Sequence, residues 1–154
     1  MDDEYPTCAR TYATLCIHPN GIDPVEITRR LGLDPSSWQR RGALSSRTDG
    51  GPPRLATIDG WFLATKDRVD SRDSRDSRRH RDWLLDHLEA KDDVARRLQE
   101  LGCRMCVWCY WLSQEGQGGP ILPAAQMRSL ADLNLELRFD FYGPIEDDLD
   151  LAES

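Results

Sequence analysis

The sequence predicts an α+β fold: a ferredoxin-like sandwich, an antiparallel sheet with helices on one face, extended by an added C-terminal helix and edge strand. Three observations carry that reading. Residues 103–112 are apolar on both alternating faces, as in a central strand. Residues 24–31 and 78–101 place apolar side chains at helical spacing and should lie together over one face of the sheet. Residues 135–142 alternate, with Leu135, Leu137, Phe139 and Phe141 on one side and Glu136, Arg138 and Asp140 on the other, as in a one-sided edge strand. The order reads β-α-β-β-α-β, then a short helix and one more strand.

Each element has local grounds. In residues 11–18, Ala13, Leu15 and Ile17 share one strand face, and Tyr12, Thr14, Cys16 and His18 share the other. Pro19-Asn20-Gly21 ends that strand. Asp23, Pro24 and Glu26 then form a helix start of capping-box type, with Ile22 and Ile27 placed as a hydrophobic staple and Gly32 as the terminating residue. Residues 34–53 read as loop, flexible over 43–53. Arg54–Ile58 and Trp61–Thr65 read as a hairpin around Asp59-Gly60. Residues 67–78 read as a second flexible loop, containing Ser-Arg-Asp twice; its charges nearly cancel, which marks a solvated run rather than a nucleic-acid patch. The helical pattern over 78–101 uses Leu84, Leu88, Ala95, Leu98 and Leu101, widened by Trp83 and Val94, with Asp92-Asp93 placed to cap a second segment after a break near 91. Residues 114–120 are a glycine-rich loop, and 124–132 a short helix presenting Met127, Leu130 and Ala131.

The net charge of −7 is unevenly distributed. Residues 1–7 and 143–154 hold eight acids and no base, leaving a body of 20 bases against 19 acids. The chain therefore reads as one domain over 9–143 between acidic tails at 1–8 and 144–154, a balance that disfavours nucleic acid. There is no membrane-length apolar run, and the acidic start does not resemble a signal peptide. Five cysteines in such a chain are expected to be free thiols in a reducing cytoplasm.

Cys103, Cys106 and Cys109 have the C-x2-C-x2-C spacing of metal sites. The intervening residues are those of a strand, not of a metal-binding turn. In a strand Cys106 faces away from the other two, and Cys103 and Cys109 lie roughly 20 Å apart. No metal or cofactor is expected. The strand's other consequence is more informative. Helices cover one side of a single-layer sheet, so the face carrying Cys106, Trp108, Tyr110 and Leu112 needs another cover. Trp108 and Tyr110 are therefore the first candidate binding residues. Trp38 with Arg40 and Arg41 offers an apolar plate and fork-shaped donors suited to anions, and Trp61 opens a strand beside them. No catalytic constellation emerges: His80 and His87 fall on one helix face without a third group, and phosphate-loop and nucleophile-elbow motifs are absent from the sequence.

The segment Asp-Pro-x-x-Ile-Thr-x-x-Leu-Gly-Leu-x-Pro over 23–35, followed by Trp38, Gly42 and Gly60-Trp61, resembles the bacterial domain of unknown function 4279 family. The later elements, ending in Leu133–Tyr142, agree with it, so the resemblance covers about 9–143. It implies a small cytosolic α+β domain without an assigned activity. The expected function is a non-enzymatic protein-binding module, immunity-protein-like or adaptor in role, whose partner is another protein or a second copy meeting the sheet face. The alternatives are small-ligand or single-stranded nucleic-acid binding through the sheet aromatics, and an enzyme or accessory subunit with His80 or His87 in a pocket beside a carboxylate.

Overall fold

β1 (Cys8–His18) is the strand around which the sheet assembles, and its sequence explains why. Ala13, Leu15 and Ile17 are buried on one face, while Tyr12, Thr14 and His18 stay half-buried on the other. The computed structural model describes residues 7–45, 52, 54–66, 68–69 and 75–144. The expected acidic tails fall almost wholly outside these residues, as do most of the Ser-Arg-Asp run and the middle of the expected loop 43–53.

β1 is followed by α1 (Pro24–Leu31), β2 (Ser37–Gln39), β3 (Leu44–Ser45), β4 (Arg54–Leu55) and β5 (Gly60–Ala64). Then come α2 (Ser77–Glu89), α3 (Asp92–Glu100), β6 (Arg104–Ser113), α4 (Ala124–Asp132) and β7 (Glu136–Tyr142). The fold is α+β, with five strands in the order β2-β5-β1-β6-β7. β1 runs antiparallel to both β5 and β6, and β2 antiparallel to β5. β7 runs parallel to β6, so the sheet is mixed rather than antiparallel. The cause is the α4 crossover: a helix between neighbouring strands returns the chain in the same direction.

The expected hairpin at Asp59-Gly60 does not form. β5 pairs with β1 and β2, whereas β4 pairs with β3 in a separate two-stranded sheet. Gly60 begins β5, and a Cβ there would lie 2.5 Å from the tip of the Phe62 ring, so a larger residue would have to displace that side chain. The expected loop over 34–53 also hides β2. At the other end, α2 starts at Ser77, capped by Asp76, inside the expected loop 67–78.

The long helical pattern divides at Ala90-Lys91. Lys91 occupies the cap position of α3 without a side-chain bond, and Asp92 and Asp93 lie in the first turn. They favour the helix start through its dipole instead of capping it. The helix side of the sheet forms the core: Leu15, Ile17, Trp61, Leu63, Val107 and Cys109 meet Ile27, Leu31, Leu84, Leu88, Leu98 and Leu130.

α1 is anchored electrostatically. Asp23 accepts the Val25 N–H at 2.9 Å and two Arg40 guanidinium bonds at 2.8 and 3.0 Å. Glu26 takes Arg29 and Arg30 rather than closing the expected capping box. Arg40 holds the Asp23 carboxyl below its ordinary range, and Arg29 and Arg30 hold Glu26 down to about 2. Carboxyls with depressed folded pKa values contribute stability above their unfolded values, near about 4, and lose it as pH falls toward the folded values. Urea midpoints measured between about pH 6 and pH 2 should therefore fall less steeply in an Asp23→Asn/Glu26→Gln variant than in the parent. Equal slopes would show that these pairs carry none of the acid sensitivity.

Candidate binding face

Among the described residues all four helices lie on one side of the sheet, and no helix covers the other. Cross-strand register sets the composition of that open face. Tyr12 stands opposite Tyr110, Thr14 opposite Trp108, Cys16 opposite Cys106, and His18 opposite Arg104. β5 adds Phe62 beside Cys16. β7 adds Glu136, Arg138, Asp140 and Tyr142 beside Cys106, Trp108, Tyr110 and Leu112. The alternation of β6 is as expected: Met105, Val107, Cys109 and Trp111 are buried on the helix side, while Trp108, Tyr110 and Leu112 are half-buried on the open side.

At one end of the face the aromatics form a ladder. Tyr12 and Tyr110 stack with centroids 4.7 Å apart and planes at 17°, and Tyr142 meets Tyr110 at 5.2 Å. Arg10 and Lys66 place their charges 5.7 and 5.5 Å from the Tyr12 ring, and Arg138 lies 5.5 Å from Trp108. Burial is the largest of the causes that raise the Tyr12 pKa. The Tyr142 hydroxyl donates to Asp140 at 3.1 Å, and that bond raises its pKa. The three tyrosines present hydroxyls and apolar plates together.

The other end is a shallow polar groove. A cavity of about 140 Å³ is lined by His18, Arg104, Cys106, Trp108, Glu136 and Arg138. A second, of about 390 Å³, shares His18 and Arg104 and extends to Arg41 and Asp59. Among the described residues no three His, Cys, Asp or Glu side chains are grouped to hold a metal ion. β6 places Cys106 on the open face and Cys109 on the helix face, with Cys103 also packed in the core.

The sequence candidates separate on this structure. Trp108 and Tyr110 sit at the centre of the open face. Trp38, at the β2 edge, is 45% exposed and lies under Arg40 at 4.5 Å. The Arg40 fork is occupied by Asp23, so it fastens β2 to α1 instead of awaiting an anion. Arg41 lines the larger cavity, and its backbone N–H donates to Asp59 at 2.7 Å. Trp61 is corrected: it is fully buried, and its indole N–H donates to Thr28 at 2.9 Å, so it is a packing residue with no surface to offer. The face residues missed individually are Arg10, Tyr142 and Arg138. The alternation of β1 and β7 marks Tyr12 and Arg138, but only the pairing register brings them to Trp108 and Tyr110.

His80 and His87 each make a hydrogen bond within the fold. Thr65 Oγ1 accepts the Ala13 N–H at 3.0 Å and shares a hydrogen bond with His80 Nδ1 at 2.7 Å, joining β1 to α2. His87 donates from Nδ1 to the Trp83 carbonyl at 2.7 Å and packs on its ring at 4.0 Å.

These features define a small α+β domain with a one-sided mixed sheet and an aromatic, solvent-open face. Residues 9–144 match a family model described as domain of unknown function (DUF4279), which spans most of the chain. The chain belongs to the DUF4279 family. No curated protein and no solved structure matches it. No helix among the described residues is long and apolar enough to cross a membrane.

Proposed function

We propose that this chain is a non-enzymatic protein-binding module that meets its partner with the open sheet face, as an adaptor or immunity-type protein does. One observation carries the reading: the Tyr12–Tyr110–Tyr142 ladder with Trp108 stands uncovered by any described helix, rimmed by charges of both signs. Tyr, Trp and Arg are the residues enriched at the centres of protein interfaces. Glu136 and Asp140 sit among the cations, placing carboxylates where phosphates would need to lie. Tyr12 and Tyr110 already stack on one another, so a base must displace a ring to stack there. Both points favour a protein over a nucleic acid. Phe139 and Phe141 stack at 5.4 Å on the reverse side of the β7 edge and extend the apolar surface around it.

The strand order β2-β5-β1-β6, antiparallel throughout, supports reading the core as a ferredoxin-like unit to which α4 and β7 are added. Five free, buried cysteines support a reducing cytoplasm as the place of work. The test is capture of the partner by the parent chain and by a Tyr110→Ala/Arg138→Ala variant. Loss of a central aromatic and its neighbouring cation should weaken binding by about 30-fold or more, the size of a hot-spot effect.

A further inference from the structure

We propose that Cys16 and Cys106 form a thiol–disulfide pair on the open face, oxidised by low-molecular-weight disulfides that reach Cys106 through the groove between β6 and β7. The two residues are directly opposite on antiparallel neighbours β1 and β6. Such partners hold their Cα atoms about 4.5–5.5 Å apart, inside the roughly 4.4–6.8 Å that a disulfide spans. Their Cβ atoms, about 4.5–5.5 Å apart in such pairs, need draw together by only about 1 Å to reach the usual bridge separation. Both side chains are buried on the same face of the sheet, and the Cys16 thiol lies 3.9 Å from the Thr14 carbonyl.

The pair is asymmetric in a useful way. The facing Cys16 thiol, aided by Arg138, lowers the Cys106 thiol, whereas the facing Cys106, together with burial, pushes the Cys16 thiol up. Cys8, Cys103 and Cys109 are all raised, chiefly by burial. Cys106 also lines the 140 Å³ cavity, although only 6% of its surface is exposed. It is therefore the attacking thiolate, and Cys16 the resolving thiol.

The step balances. Cys106 thiolate attacks one sulfur of the small disulfide, whose S–S bond breaks and releases one thiolate. Cys16 then loses its proton and attacks the Cys106 sulfur, breaking the mixed disulfide and releasing the second thiolate. Two protein thiols give up two electrons and two protons; one small disulfide becomes two thiols.

The test uses the full folded chain and glutathione disulfide, with remaining thiols alkylated before digestion and mass spectrometry. The expected product is a peptide pair linked through Cys16 and Cys106, reversed by dithiothreitol, with the other three cysteines alkylated only after unfolding. In Cys16→Ser the reaction should stop at a glutathione adduct on Cys106, and in Cys106→Ser the folded chain should lose most of its reactivity. Absence of the linkage in the parent chain, a linkage through another pair, or adduct formation on Cys16 at the parent's rate in Cys106→Ser would overturn the proposal. The parent chain decides the matter even if a variant does not fold. The outcome is independent of the protein-binding reading.

Discussion

Arg81→Ala is expected to unfold at much lower denaturant concentration than the parent, with a loss of about 3–5 kcal/mol from lost hydrogen bonds and the void left behind. Arg81 is fully buried. Its Nε donates to Gln126 at 2.7 Å, one Nη to Cys109 at 3.5 Å and the other to the Ile121 carbonyl. Gln126 in turn donates to the Arg78 carbonyl at 2.9 Å and to Asp82 at 2.7 Å. One guanidinium thus ties α2 to β6, to α4 and to the segment before α4. Truncation removes several charge-assisted bonds together, strands the buried Gln126 oxygen, and leaves a void. Arg81→Met restores the volume but not the donors, so it should lose less than Arg81→Ala. Chemical denaturation of both variants checks this; a loss below about 1 kcal/mol for Arg81→Ala would mean that water replaces the network readily.

Trp61→Ala and Trp108→Ala should separate packing from binding. Trp61 has no exposed surface, lies between Ile17 of β1 and Trp38 of β2, and satisfies Thr28 through its indole N–H. Its truncation should cost about 3–5 kcal/mol. Trp108 is half-buried on a face without a second layer, so its truncation forfeits less burial, about 1–2 kcal/mol. Thermal and denaturant unfolding rank the two. Equal losses would mean that Trp108 is packed as deeply as Trp61, and the open face would then be covered.

The strands β1, β6 and β7 and the helices α1 and α4 were legible because each carries its own alternation, period or cap. β2 was not: Ser37-Trp38-Gln39 is too short to show a period, and its partner is the distant β5. The Asp59-Gly60 hairpin misled for the same reason. Asp59-Gly60 is a turn-forming dipeptide locally, whereas the pairing of β5 is decided by its apolar face finding β1. Arg81 was missed because a charged residue near the start of a helix reads as a solvated side chain, although its neighbour His80 was placed on a helix face. Helical phase did hold the signal: counting back from Leu84 and Leu88 by three and four places His80, Arg81 and Ser77 on the buried stripe. The candidate site was half legible. Trp108 and Tyr110 followed from β6 alone, but their neighbours required the register of β1 and the parallel pairing of β7, neither of which leaves a mark in a single strand's sequence.

The claim that the open sheet face is the binding surface is tested most directly by a capture experiment with three baits. These are the parent chain, the Tyr110→Ala/Arg138→Ala face variant, and an Arg97→Ala control on the exposed side of α3. All three must first show the same folded spectrum. The predicted result is one protein retained by the parent and by the α3 control, and weakened about 30-fold or more with the face variant. Retention of the same protein by the parent and the face variant, with loss in the α3 control, would contradict the account and move the binding surface to the helices.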